Sequence, residues 1–293
     1  MLAELESRQE PIELTDVAFH PQVTDQCGPA ALATVLEKSG VTVSPDELRS
    51  RIYIPQRQGS LQIELLAATR HYKRIPYALD RGPGAILREL EAGRPVLVLQ
   101  NLGVQWLPTW HYAVIVGYLP DSGEFVLRSG DRERHLLRAR TFMRTWQRGD
   151  YWAIVVLQPG ELPADADAER YLRAVAALEA IGDAATAVAA YREATVAWPQ
   201  NKLGWLGLGN AAYSTGELAA ARSAYRQLLA IDPADPIALN NLAQVSMDLG
   251  CRDEALATIY AALSLVESGD SLYASLQETL SEILHSESAA ICH

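Results

Sequence analysis

Three glycines, Gly182, Gly216 and Gly250, stand 34 residues apart, and this period constrains the fold more than any other feature of the chain. The same step relates Ala187, Ala221 and Ala255, and again Tyr191, Tyr225 and Ile259. Pro199 and Pro233 close the first two units, with Glu267 in the third slot. Columns kept in phase in this way describe a repeating pair of helices. Glycine at the turn releases the first helix, because it alone takes left-handed angles cheaply. Small alanines let the two helices approach closely, and proline ends the second. One such pair cannot bury its apolar face alone, so about three must stack.

The central copy, "WLGLGNAAYSTGELAAARSAYRQLLAIDP", carries Trp205, Leu208, Gly209, Ala221, Tyr225 and Pro233. Their offsets and the 34-residue period resemble the tetratricopeptide repeat. Residues 168–293 are therefore expected to form an all-α array of three repeats plus a C-terminal helix near 271–285.

The first half has a different grammar. Helices are expected at about 27–39, 45–52, 60–72, 83–92 and 140–147, and strands at 75–79, 95–101, 111–118, 124–128, 134–138 and 151–158. Ser44 with Glu47 reads as a capping box, and Pro45 suits the first helical turn. "PDSG" (120–123) joins two strands as a hairpin turn. Helices first and an antiparallel sheet second is α+β organisation. The proline- and acid-rich stretch after the last strand marks a boundary. The expected division is a tail over 1–15, a domain over 16–158, a linker over 159–167 and the repeats over 168–293.

Charge and cysteine usage narrow the class. The net charge is −11, and all of it lies after residue 160, where 7 Lys/Arg face 18 Asp/Glu. An acidic half argues against nucleic acid, whose phosphates need a basic surface. It suits a basic protein partner or peptide, and equally solubility alone. Residues 128–148 hold seven arginines against Asp131 and Glu133, which reads either as an anion- or acid-binding strip or as a solvated rim. Three cysteines, Cys27, Cys251 and Cys292, make neither a disulfide framework nor a metal cluster with the six histidines, and fit reduced thiols. No cofactor or metal is expected. No apolar run reaches the ~18–20 residues of a transmembrane segment, and the polar start of the chain does not read as a secretory signal.

The chemistry centres on "TDQCGPAALATVL". Pro29 belongs in a first helical turn, so Cys27 lies at the N-terminus of an apolar, buried helix. The positive end of the helix dipole favours a thiolate there, and the thiolate is the reactive form. Taken alone, such a cysteine reads equally as a small core residue. A nucleophile needs a base. His111 opens "HYAVIVGY", a strand whose mouth can lie beside a helix N-terminus. His20 stands before Pro21 near the cysteine, while His71, His135, His285 and His293 sit in charged or terminal settings. An oxyanion donor is expected from Gln22 or Gln26. "WLPTW" brings Trp106 and Trp110 just before His111, either as walls of a substrate groove or as core packing.

"FHPQVTDQCGPAALATVL", followed about 80 residues later by "HYAVIVGY", resembles the papain-like cysteine peptidases of the bacteriocin-processing, double-glycine-leader type. The resemblance covers roughly residues 16–158. It implies a papain-like α+β fold, Cys27 as nucleophile, His111 as general base and acid, Gln22 as oxyanion donor, and cleavage after small residues such as glycine. With the repeats behind it, the chain is similar to a bacterial group of which many members are envelope-associated. The residues alone point to the cytoplasm. One part departs from the pattern. Where that family places an aspartate or asparagine to orient the imidazole, this chain reads "VLRSGDRERH", which leaves Ser129 or Asp131 as the third member. That departure keeps a catalytically weak or inactive adaptor, binding proteins through its repeats, as the alternative.

Overall fold

The computed structural model describes residues 2–21, 26–57 and 59–286. It divides into two units, Met1–Ala174 and Val175–His293.

In chain order the first unit holds α1 (Leu2–Glu6), β1 (Ile12–Glu13), α2 (Cys27–Lys38), α3 (Pro45–Ile52) and α4 (Gln62–His71). After these come β2 (Ile75–Ala78), α5 (Pro83–Glu91), β3 (Val96–Asn101), β4 (Trp110–Leu119), β5 (Glu124–Ser129), β6 (Arg132–Arg138), α6 (Ala139–Gln147) and β7 (Ala153–Leu157). The strands run β2-β7-β3-β4-β5-β6, with β1 also paired to β4. All the pairings are antiparallel, as α+β organisation requires.

Local chemistry accounts for the element ends. The Ser44 hydroxyl accepts from the Glu47 amide at 3.2 Å, with Pro45 in the first turn of α3. At the β4–β5 turn, Gly123 takes φ +65° and its amide reaches the Pro120 carbonyl at 3.1 Å. β3 and β7 lie in the middle of the sheet and are buried along their whole length. They therefore read as continuous apolar runs, whereas the edge strand β6 is arginine-rich and mostly exposed. α2 is buried from Gly28 to Leu36. It packs Leu32, Val35 and Leu36 against Tyr112, Val114 and Val116 of β4 and Leu97 and Leu99 of β3.

Segments flanking this core are tied to it. β1 aligns Ile12 with Tyr118 and Glu13 with Gly117, and the Arg134 guanidinium holds the Glu13 carboxylate at 2.8 Å. Beyond β7, the Ala164 amide donates to the buried Glu89 carboxylate at 2.7 Å, and the Asp167 amide donates to the Tyr77 hydroxyl at 3.0 Å. Three of the seven arginines in 128–148 also serve the fold. Arg128 reaches the Val17 carbonyl, Arg134 pairs with Glu13, and Arg148 caps the Asn101 carbonyl.

α7 (Ala168–Glu179) runs across the boundary at Ala174. The second unit continues with α8 (Ala184–Ala197), α9 (Lys202–Ser214), α10 (Leu218–Ile231), α11 (Pro236–Asp248), α12 (Arg252–Ser264) and α13 (Ser271–His285). Gly182, Gly216 and Gly250 adopt φ of +94°, +80° and +76° at the α7–α8, α9–α10 and α11–α12 turns, the left-handed angles that the period implied. Ala187, Ala221 and Ala255 are fully buried. The Tyr191 and Tyr225 rings lie where side chains on Gly207 and Gly209 of α9 would stand, so both glycines are seats for tyrosine. Cys251 is disulfide-bonded, which corrects the expectation of a reduced thiol there, whereas Cys27 is not disulfide-bonded. No helix of the described residues is long and apolar enough to cross a membrane.

Candidate active site

Cys27 is the first residue of α2, and Gln26 before it makes no side-chain cap bond. The first intrahelical bond runs from the Ala30 amide to the Gln26 carbonyl at 3.0 Å. By helix geometry the amides of Cys27 and Gly28 precede any intrahelical acceptor, and Pro29 has none to offer. The sulfur therefore stands at the electropositive end of a buried helix.

The cysteine opens into a cleft of about 720 Å³. One wall is the loop before α4, through Arg57, Gly59, Ser60, Leu61 and Gln62. The opposite wall is the start of β4 with the loop before it, through Pro108, Thr109, Trp110 and Tyr112. Tyr112 binds the two walls together, since its hydroxyl donates to the Ser60 carbonyl at 3.2 Å. Its phenol is raised far above the ordinary range, chiefly by burial and further by the neighbouring Cys27 charge. Gly28 fits tightly here: a methyl group in its place would meet Ser60 Oγ at 2.9 Å and Tyr112 Cδ2 at 3.5 Å. The Ser60 hydroxyl is buried and has no hydrogen-bond partner among the described residues.

His111 precedes Tyr112 on β4 and is half-buried. Its Nε2 lies 2.8 Å from Ser129 Oγ on β5. Burial, and then the charge of His135, hold the imidazole below its usual range, so the ring is neutral near neutral pH. If Nε2 carries the proton and donates it to Ser129, Nδ1 is left as the acceptor that a general base needs.

The remaining sequence candidates are placed as follows. Asp131 is at the β5–β6 turn with 93% of its side chain exposed, and its contact is Arg132 at 4.0 Å. Of the two candidate partners for the imidazole, Ser129 is the one the structure brings to it. Gln22 lies outside the described residues, and Gln26 is the cap residue beside the cysteine. Trp110 lines the cleft; Trp106 does not line it and is 83% exposed, so core packing does not account for it. His20 pairs with Glu37 at 2.9 Å, ten residues along α2 from Cys27 and so roughly 15 Å from it. His285 bonds the Ser281 carbonyl in the second unit. Among the described residues, no group of three His, Cys, Asp or Glu is arranged to hold a metal ion.

Ser60, Gln62 and Tyr112 were not singled out in the sequence. Ser60 and Gln62 follow Cys27 by more than thirty residues in an unremarkable loop, and the tertiary fold alone brings them to the helix start. Tyr112 carried a signal, since strand alternation puts its side chain opposite that of His111.

Two family models match the chain. Residues 14–149 match the Peptidase C39-like family, and residues 171–236 and 207–270 match the tetratricopeptide repeat. No curated protein matches the chain. Among solved structures, one similar chain is a protein described as a C39-like peptidase from Bacillus anthracis, at 16% identity and TM-score 0.44, covering 51% of this chain and 98% of that one. Another is the type III secretion chaperone SycD of Yersinia enterocolitica in complex with a peptide of the translocator YopD, at 18% identity and TM-score 0.38, covering 40% and 91%. The TPR2B domain of yeast Sti1 is similar at 20% identity and TM-score 0.39, covering 41% and 98%. The chain thus joins an N-terminal C39-like peptidase domain to a C-terminal array of tetratricopeptide repeats.

Proposed function

We propose that the first unit is a thiol peptidase of the bacteriocin-processing type and that the repeats recruit its peptide or a partner protein. The observation that carries this reading is a cysteine at the N-terminus of a buried helix that opens into a cleft. Cys27, which is not disulfide-bonded, heads that helix; His111 does not itself line the cleft, but it adjoins Tyr112 of the opposite wall and bonds Ser129.

In this reading His111 Nδ1 takes the thiol proton, and the Cys27 thiolate attacks the scissile carbonyl. The negative charge on the tetrahedral oxygen is met by the Cys27 backbone amide and the Gln22 carboxamide. His111 returns the proton to the leaving amine, and the acyl group stays on sulfur as a thioester. Water, deprotonated by the same imidazole, releases the acid and restores the thiol. Trp110 lines the groove for the peptide, and the resemblance suggests cleavage after small residues such as glycine. The repeats supply a long surface for protein contact, which is what stacked helical pairs offer.

Ser129 favours a second reading. A hydroxyl orients the imidazole but carries no charge to stabilise the imidazolium. A slow enzyme, or an adaptor that binds without cleaving, fits that substitution. Alkylation with iodoacetamide at mildly acidic pH, with the adduct mapped by mass spectrometry, separates the two. The peptidase reading expects Cys27 to react much faster than a free thiol standard and to lose that advantage in His111→Ala. A rate equal to the standard and unchanged in His111→Ala would sink it in favour of the adaptor.

A further inference from the structure

The hairpin between β3 and β4 exposes Leu102 (49%), Val104 (48%), Trp106 (83%), Leu107 (62%) and Trp110 (54%) within nine consecutive residues. Exposed apolar side chains scattered singly need no explanation, but a contiguous group of this size marks a surface that is covered in use. The loop is well built. Val104 bridges to Leu107, the Leu102 amide donates to the Thr109 carbonyl at 2.8 Å, and Asn101 Oδ1 accepts from the Gly103 and Thr109 amides at 3.0 and 2.9 Å. Gly103 runs so close to the Leu107 carbonyl and the Thr109 amide that a side chain there has no room. The tip is thus a closed, projecting turn with its apolar side chains outward, a knob and not a groove.

Its electrostatic setting selects the partner. No Asp, Glu, Lys or Arg occurs from Pro95 to Pro120. Cations stand around the base. Arg148 donates to the Asn101 carbonyl at 2.9 Å, and Arg57 shares the cleft wall with Pro108, Thr109 and Trp110. α6, which packs on β3, carries exposed Arg144 one turn before Arg148, and Arg144 has no carboxylate partner among the described residues. Of the acids at this end of the sheet, Asp150 is occupied by Arg81 at 3.1 Å, and Asp131 lies 4.0 Å from Arg132.

We infer that this hairpin seats the first unit on an anionic lipid bilayer. Trp106 and Leu107 enter the headgroup boundary, where an amphipathic indole is at home, and Arg57, Arg144 and Arg148 face the lipid phosphates. Pro108, Thr109 and Trp110 belong both to this hairpin and to the cleft wall, so the cleft mouth opens at the bilayer surface. The inference stands apart from the peptidase reading, since it uses neither Cys27 nor His111.

Co-sedimentation of the full chain with phosphatidylcholine vesicles, with and without phosphatidylglycerol, tests it. The wild type is expected to partition onto the anionic vesicles, less onto the neutral ones, and less as salt is raised. Trp106→Ser/Leu107→Ser is expected to weaken binding more than tenfold, since it removes two large apolar side chains from the headgroup boundary. Arg57→Glu/Arg144→Glu is expected to weaken it on anionic vesicles alone, by roughly fivefold or more per charge. Quenching of wild-type tryptophan fluorescence by brominated lipid, reduced in Trp106→Phe, reads the same contact without disturbing the loop. Absence of wild-type binding to anionic vesicles overturns the inference, as does equal binding by the tip variant. So does concentration-dependent self-association that the tip variant abolishes while vesicles stay unbound, which assigns the tip to a protein interface.

Discussion

Replacing Gly28 by alanine puts a methyl group into the tightest point beside the cysteine. The added carbon meets Ser60 Oγ at 2.9 Å, Ser60 Cβ at 3.0 Å and Tyr112 Cδ2 at 3.5 Å. The last is an ordinary contact; the first two are not. Overfilling a packed site of this kind costs about 1–3 kcal/mol. Alanine in place of glycine in a helix returns up to about 1 kcal/mol. The net expectation for Gly28→Ala is a loss of roughly 1–2 kcal/mol from these two terms. Both obstructing atoms belong to Ser60, whose hydroxyl has no hydrogen bond to lose among the described residues. In a Ser60→Gly background the clash disappears and the helical gain remains, so the same Gly28→Ala change is expected to be neutral or stabilising. The measurement is a double-mutant cycle by native-state hydrogen exchange, read on peptides from α2 in the full chain. That readout avoids fitting one transition to a protein of two units. Additive effects, with Gly28→Ala costing the same in both backgrounds, would refute the reasoning.

Three further outcomes are expected. Ser129→Asp places a carboxylate against Nε2 and is expected to raise the His111 pKa by roughly 1–3 units, while Ser129→Ala slows Cys27 alkylation; both are read by NMR titration of the imidazole and by alkylation rate. Because burial, aided by His135, depresses the folded-state pKa of His111, the unfolded chain binds the proton first. The His111 contribution is then fully present above its ordinary pKa of about 6.5 and is lost as pH falls below it, so His111→Gln is expected to show a shallower fall in thermal stability on acidification. Glu89→Ala removes the acceptor of both Arg94 (2.6 Å) and the Ala164 amide; it is expected to cost about 3 kcal/mol, at the lower end because Arg94 is partly exposed, and to open residues 159–167 to limited proteolysis.

The repeats were legible because their geometry is local. A glycine with positive φ, a buried alanine and a tyrosine seat recur at a fixed step, and each is decided within two neighbouring helices. The core strands were legible for a related reason: β3 and β7 are buried on both faces, and the apolar runs over 96–99 and 153–157 say so. Helix ends fell within two residues of expectation wherever a cap or a proline fixed them, as at Ser44 and Pro45. The two-residue strand β1 carried no periodicity, and only its pairing with Gly117 and Tyr118 of β4 makes it a strand. At the site, Cys27 and His111 stood out because chemistry and element ends coincide at both. The choice between Ser129 and Asp131 was not legible. It depends on whether the chain turns at Gly130, where φ of +63° sends Asp131 outward and leaves Ser129 on the sheet beside the imidazole. Ser60 was invisible because proximity to Gly28 is a property of the fold and leaves no pattern along the chain.

The two tyrosine seats on α9 have a mechanical consequence. Tyr191 arrives from α8 on one side and Tyr225 from α10 on the other, and both lodge in the same helix at Gly207 and Gly209. α9 acts as a double socket that locks two neighbours in register. In a linear array, where each member leans only on those beside it, loss of this helix severs the row at its centre instead of fraying it from an end. What lies beyond the break still owns a private core, since Leu239, Ile259, Leu276 and Ile283 pack among α11, α12 and α13. Damage to the socket should therefore leave a stub of helical hairpins standing, cut off from the helices before it.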